Sequence, residues 1–368
     1  VPEYRVSLFK ELSQNKRLDV AVFASPQFEN SPDSVVDEPN TYIPCRASSL
    51  FNKRLYWQHG IKLPISFCAG DVCVLCGNPR LLSNYPLLFS AKRRKVGLIW
   101  WGQGHTPGPP RISEIIRHKV MRLADVLLLY TNAEVDEFVK KGFAVNRVFS
   151  TNNTIDTRPI DLAMQFWTRD KLQQFKEKHG LHDKQLFLFC GRLNTKCELE
   201  QAFHALHLIR KAHQQVRLLI IGSGPEKDRL VALAWELNIQ DCIIWIGTKY
   251  DQIDLAPWFL SALAYVYPGS IGLSLNHAMA YGLPVVTHSD KQWHNPEFAF
   301  LKNGINGVTY PKDDTAALAK TMVQMITEGA RREAMASNAY KFMRTEVSFD
   351  AMIANFLRAI ECASACKT

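Results

Sequence analysis

Tyr267-Pro268-Gly269-Ser270-Ile271-Gly272-Leu273-Ser274-Leu275-Asn276-His277-Ala278-Met279-Ala280-Tyr281-Gly282-Leu283-Pro284-Val285-Val286 decides the fold. It reads as a strand end, a Gly-rich loop, a short helix, a Gly-x-Pro turn and a second strand. That order belongs to a parallel sheet with crossover helices, whose ligands sit outside the carboxyl ends of the strands. A helix starting near Gly272 would present free amides and a positive dipole end, suited to a diphosphate, with Leu273 and Ser274 in its first turn. Asn276 and His277 follow about one turn in. They are placed either to bond a ribose or sugar hydroxyl or to pack locally.

Two further loops upstream have matching chemistry. Phe189-Cys190-Gly191-Arg192-Leu193-Asn194-Thr195-Lys196 is a strand end, a glycine and two cations before a helix. Arg forks onto phosphate oxygens and Lys adds a point charge. Leu219-Ile220-Ile221-Gly222-Ser223-Gly224-Pro225-Glu226 turns tightly on two glycines and opens a helix on Pro and Glu. Taken singly, each loop also suits ordinary strand-to-helix punctuation or an exposed turn.

Along the chain, short apolar runs alternate with longer amphipathic segments. In the first half the pattern predicts a helix over Tyr4–Leu12 and a strand over Leu18–Ala24. Strands follow at Asp71–Leu75, Val96–Trp101, Ala124–Tyr130 and Val148–Thr151, with helices at Arg111–Leu123 and Glu134–Lys141. A doubly wound sheet usually opens on a strand, so the first strand is expected to precede Val1. In the second half strands are predicted at Gln185–Cys190, Arg217–Ile221, Cys242–Ile246, Ala262–Tyr267 and Val285–Thr287. Helices separate them at Leu199–Ala212, Lys227–Leu237, Leu255–Leu260 and from about Leu273. Thr157 to Lys184 reads as linker plus helix, and Asp314–Glu328 and Phe349–Glu361 as further helices.

The 368 residues suit two domains of roughly 150–200 residues each. The expected division is 1–157, 158–340 and a terminal segment 341–368 packing back on the first domain. No run approaches the ~18 apolar residues of a spanning helix. Net charge is +9, with 20 Lys and Arg against 14 Asp and Glu up to Asp156. The densest run, Lys92-Arg93-Arg94-Lys95, is either a solvated surface or a patch for anionic lipid or an anionic acceptor. No nucleic-acid module accompanies the charge, so nucleic acid is not expected as a partner. Nine cysteines suit a reducing compartment. Cys73 and Cys76 would face opposite sides of a strand, and no Cys/His pair at zinc spacing follows, so these cysteines are read as structural.

The three loops in this order resemble the donor domain of GT-B glycosyltransferases, in particular the retaining family-4 enzymes. The matching signatures are CGRLNTK, IIGSGPEKDRL, WIGT, YPGSIGLSLNHAMAYGLPVV and NPEFAFLKNGINGVTY. The first half is more loosely similar to an acceptor domain, through IWWGQGH, ADVLLLYTNAEVDEF and NNTID. The resemblance implies two Rossmann-like α/β domains facing a central cleft. It also implies a UDP- or GDP-linked sugar as donor, retention of anomeric configuration, no cofactor and no divalent metal. No Asp-x-Asp triplet occurs in the chain.

On the resemblance, Arg192, Lys196 and His105 are the catalytic candidates. Gly191, Gly222, Gly224, Thr248, Gly272, Leu273, Ser274, Asn276, His277 and Glu297 are donor-side candidates; Asn78 and Arg80, from their place after the strand at Asp71–Leu75, either line the acceptor side or only shape their loop. His105, in Gly102-Gln103-Gly104-His105, follows a strand; the family often has a histidine near the donor sugar there. The family usually carries two glutamates eight positions apart, where this chain has Gly269 and His277. Its Arg192–Lys196 loop is also shorter than usual. The missing glutamates keep open a nucleotide-sugar-binding protein without catalysis, and the fold alone keeps open a nucleotide-sugar epimerase. A glycan or lipid-linked acceptor, and a cytoplasmic location peripheral to an anionic membrane, are expected from family habit and charge.

Overall fold

The computed structural model describes residues 3–25, 42–52, 54–108 and 112–367. It divides into two compact units. One comprises 1–106, 110–156 and 349–368; the other comprises 107–109 and 157–348.

The first unit opens with helix α1 (Glu3–Gln14) and two short strands, β1 (Phe23–Ala24) and β2 (Ile43–Pro44), paired in parallel with each other. The strand predicted over Leu18–Ala24 is therefore confined to two residues, outside the main sheet. Strands β3 (Ala47–Leu50) and β4 (Leu55–Gln58), which the apolar pattern did not signal, form an antiparallel hairpin. Next come β5 (Val72–Cys76), α2 (Asn84–Arg93), β6 (Gly97–Trp101), α3 (Ile112–Met121), β7 (Val126–Leu129), α4 (Asn132–Lys140) and β8 (Val148–Ser150). The four strands β5-β6-β7-β8 lie in sequence order, all parallel. Right-handed crossovers without a reversal put α2, α3 and α4 on one face. There Leu88, Ala91, Met121 and Phe138 bury against Leu98, Trp100 and Leu127. Pro109–Arg111, including the expected start of α3 at Arg111, lie outside the described residues.

The second unit runs through α5 (Arg158–Phe166), α6 (Arg169–Lys178), β9 (Gln185–Cys190), α7 (Glu200–Ile209), β10 (Val216–Ile221), α8 (Lys227–Glu236), β11 (Ile243–Gly247), α9 (Gln252–Ser261), β12 (Ala264–Val266), α10 (Leu273–Ala280), β13 (Val285–His288), β14 (Gly307–Tyr310), α11 (Thr315–Thr327) and α12 (Gly329–Thr345). The segment expected to be linker plus helix is instead two helices. Trp167 between them donates its indole N–H to the Ile253 carbonyl at 2.7 Å, and Phe175 meets Trp258 edge-on. The sheet is six-stranded, all parallel, in the order β11-β10-β9-β12-β13-β14. The order reverses between β9 and β12, so α7 and α8 cover one face and α9 and α10 the other. Leu206, Phe203 and Met322 fill the α7 side.

The last helix, α13 (Phe349–Ala365), belongs to the first unit. Its Phe349, Met352, Phe356 and Ala359 meet Leu8 and Leu12 of α1 over Ile99, Val126 and Leu128, closing the second face of that sheet. Phe356 is 2% exposed and contacts Trp101 edge-on. Phe356→Ala is expected to cost the first unit about 3–5 kcal/mol. Denaturant unfolding followed by a probe in each unit checks this; equal losses in both would contradict it.

Candidate functional site

The reversal between β9 and β12 gathers the loops singled out in the second unit. Gly191 donates its N–H to the Ile221 carbonyl at 2.9 Å, and Gly222 donates to Gly247 at 2.9 Å. A β-carbon at Gly222 would lie 1.9 Å from the Gly191 carbonyl oxygen, and φ there is +134°. A β-carbon at Gly224 would lie 2.2 Å from the Leu193 carbonyl oxygen. Both positions therefore need glycine because another backbone occupies the space. Thr248, directly after Gly247, is exposed beside this stack.

Beyond Gly191, Asn194 accepts the Lys196 N–H at 3.0 Å and closes a single 3-10 turn over Thr195–Cys197. Arg192 and Lys196 are both exposed, while Leu193 and Cys197, each directly after one of them, are buried. Cys197 Sγ donates to the Arg192 carbonyl at 2.9 Å, fixing the loop from beneath. The Lys196 carbonyl accepts the Ser270 N–H at 2.9 Å, so the turn carrying Lys196 abuts the loop before α10. A β-carbon at Gly269 would lie 2.0 Å from that same oxygen. The space that a side chain at 269 would need is filled by backbone.

Helix α10 starts at Gly272, which has no side chain to cap it, and Asn295 packs against it with Cβ 3.1 Å from where a Gly272 β-carbon would stand. The preceding Ile271 donates its N–H to His294 Nδ1 at 3.2 Å, and His294 Nε2 donates to the His288 carbonyl at 2.9 Å. His294 stacks between His288 and Phe298. Glu297, two residues after Asn295, is buried. Ser274 bonds the Tyr265 phenol, which donates to the Cys190 carbonyl at 2.6 Å. The Ser274 hydroxyl is thus tied to β12, and the free contribution of this turn lies in Leu273 and the backbone.

Asn276 is fully buried in α10. His277 keeps a partly exposed edge. Its Nε2 meets Gln252 Oε1 at 3.0 Å, the atom to which Tyr281 also donates at 2.9 Å, and its ring lies against Phe259. Gln252 was not signalled by any motif.

His105, Asn78 and Arg80 belong to the first unit. Asn78 accepts the Arg80 N–H at 3.0 Å, and Arg80 Nε donates to the Arg54 carbonyl at 2.6 Å over the Tyr56 ring. Asn78 thus turns the loop after β5, and Arg80 ties that loop to the β3–β4 hairpin. His105 follows β6, with Nδ1 3.8 Å from Glu134 Oε1. Glu134 is buried and accepts N–H bonds from Gly104 at 2.7 Å, Tyr130 at 3.1 Å and Thr131 at 3.2 Å. One carboxylate therefore caps α4 and pins the His105 loop. The signal for it was legible as the capping box Thr131-x-x-Glu134.

Burial pushes His277 and His288 down to about 4 and His294 down to about 3. His294 must be neutral to accept the Ile271 N–H at Nδ1. Their folded values lie below the ordinary ~6.5, so the unfolded chain takes up protons first as pH drops. Stability is expected to be full above about pH 6.5 and to decline towards pH 4. Chemical denaturation across that range checks this; a flat profile would contradict it.

Residues 171–342 match the sequence profile of the family described as Glycosyl transferases group 1. A glycosyltransferase of Methanocaldococcus jannaschii is 28% identical over 181 residues, 48% of this chain and 45% of that one. The N-acetyl-alpha-D-glucosaminyl L-malate synthase of Bacillus anthracis is 23% identical over 64% of this chain and 60% of its own length. The chain thus spans about half the length of these curated relatives. The Anabaena protein HepE, solved in complex with UDP, superposes with a TM-score of 0.64 at 15% identity, covering 79% of this chain and 78% of that one. Among the described residues no helix is long and apolar enough to cross a membrane, and no group of His, Cys, Asp and Glu is arranged to hold a metal ion. Residues 171–342 are thus similar to group 1 glycosyltransferases, and the fold is that of GT-B proteins.

Proposed function

We propose that this chain transfers a glycosyl unit from a UDP- or GDP-linked sugar to an acceptor hydroxyl, with retention of configuration. The observation that carries the reading is the joining of three backbone loops at the strand-order reversal of the second unit. There the Lys196 carbonyl bonds Ser270, three residues before α10 begins. A diphosphate lying across these loops would meet the amides that open α10, with the exposed Arg192 and Lys196 supplying charge. Leaving-group departure as an anion is then favoured electrostatically, without a metal. Gly191, Gly222 and Gly224 let the loops approach closely enough to form this cradle. His277, with its outer edge partly exposed and its ring neutral, offers a hydrogen bond to a ribose hydroxyl. Thr248 and Glu297 border the same region.

On this reading the acceptor is a glycan or a lipid-linked intermediate. The exposed Lys92, Arg93 and Lys95 would hold the protein to an anionic membrane. Sedimentation with phosphatidylserine vesicles should show binding that salt reverses; salt-insensitive or absent binding contradicts the membrane part alone.

A second reading, nucleotide-sugar binding without catalysis, is favoured by Gly269. A glutamate cannot be built there against the Lys196 carbonyl, so the usual carboxylate has no room in this loop. Release of UDP or GDP with any acceptor, from purified protein and a panel of nucleotide sugars, rules that reading out. Arg192→Ala should weaken donor affinity or turnover by about 1.5–3 kcal/mol, the worth of one charge-assisted phosphate bond. Unchanged donor affinity and turnover would remove Arg192 from the site.

A further inference from the structure

Arg5, in the first turn of α1, is only 5% exposed. Its guanidinium lies 4.7 Å from the centroid of the Trp101 ring, 5.1 Å from that of Tyr4 and 5.7 Å from that of Tyr130. No carboxylate pairs with it among the described residues, and its Nη1 is buried without a hydrogen-bond acceptor. The Trp101 indole Nε1, on the ring that the guanidinium covers, is also buried without an acceptor. Two neighbouring N–H donors, one of them charged, are thus left unsatisfied at one spot. Aromatic faces compensate part of the charge, but they accept no directed hydrogen bond. A buried cation without a counter-charge is strongly unfavourable, and buried donors are nearly always paired.

Trp101 is the last residue of β6, and Tyr130 directly follows β7. The pair of donors therefore stands at the carboxyl edge of the parallel sheet, where α/β sheets take their ligands. The loop leading to His105 begins at the next residue, Gly102. Arg5 sits on the same side as α13, with Trp101 edge-on to Phe9 and Phe356, so the indole is held rigidly. A planar fork beside a fixed indole N–H suits an oxyanion, with one oxygen on Nη1 and another on Nε1.

We propose that Arg5 and Trp101 form a binding site for an oxyanion, a phosphate or a carboxylate, at the carboxyl edge of the first unit's sheet. The anion belongs to the acceptor; that assignment alone rests on the transferase reading, while the site itself does not. An acceptor carrying a phosphodiester or phosphomonoester link, or an acidic sugar, supplies such a group.

The test follows the Trp101 indole N–H by NMR in protein labelled at tryptophan. Inorganic phosphate and acetate are titrated separately at constant ionic strength, made up with chloride. The site predicts a saturable shift of the Trp101 resonance with at least one of the two. Phosphate alone points to a phosphorylated acceptor, and acetate alone to an acidic sugar. Arg5→Met should abolish the shift, and Arg5→Lys, which keeps the charge without the fork, should weaken it several-fold. Both variants should keep the thermal shift given by UDP or GDP in the wild type, which reports on the other unit. A Trp101 resonance that neither anion moves in the wild type overturns the proposal, as does an undiminished shift in Arg5→Met. Neither outcome touches the nucleotide reading, which fails separately if no nucleoside diphosphate stabilises the wild type.

Discussion

A β-carbon on residue 222 would stand 1.9 Å from the carbonyl oxygen of Gly191, inside any permitted contact. β9 and β10 are neighbours in register from Val216–Gln185 to Ile221–Cys190, so their carboxyl ends leave the sheet side by side. Only a missing side chain lets the two following loops lie backbone against backbone. The same device recurs at Gly224 over Leu193 and at Gly269 over Lys196. Three loops from three strands are thereby compressed into one layer above the strand-order reversal. That layer is polar backbone with two exposed cations.

The compression also explains how this chain departs from the pattern it resembles. The turn over Thr195–Cys197 advances until the Lys196 carbonyl bonds Ser270, and no volume is left at position 269 for a carboxylate. At position 277 a histidine stands on Gln252 and Tyr281, kept neutral by burial. The two negative charges usual in the family are thus replaced by backbone and by an uncharged ring. The loop is fastened from its other side by His294, which can accept the Ile271 N–H only while neutral.

The second unit was largely legible. β9 was read over Gln185–Cys190 as found, because five apolar residues after Gln185 ended at a glycine, and the turn chemistry marked each strand end. The first unit was less so. α2 was missed because Pro86 and the basic run after it obscure an amphipathic face of only Asn84, Leu88 and Ala91. Thr157 to Lys184 read as linker plus one helix because α6 is almost wholly polar; its order comes from Phe175 meeting Trp258, a contact across 83 positions that no local window reveals. The bond of Arg80 to the Arg54 carbonyl is equally non-local and was not visible in the sequence. The absence of glutamate at 269 and 277 was visible in the sequence, whereas what fills the space was not.

Hydrogen exchange measured by mass spectrometry, with and without UDP or GDP, tests the diphosphate cradle most directly. The account predicts slowed exchange concentrated in peptides spanning 190–197, 222–226 and 269–276 of the second unit. Protection confined to other segments, with these three exchanging as freely as in the nucleotide-free protein, would contradict it.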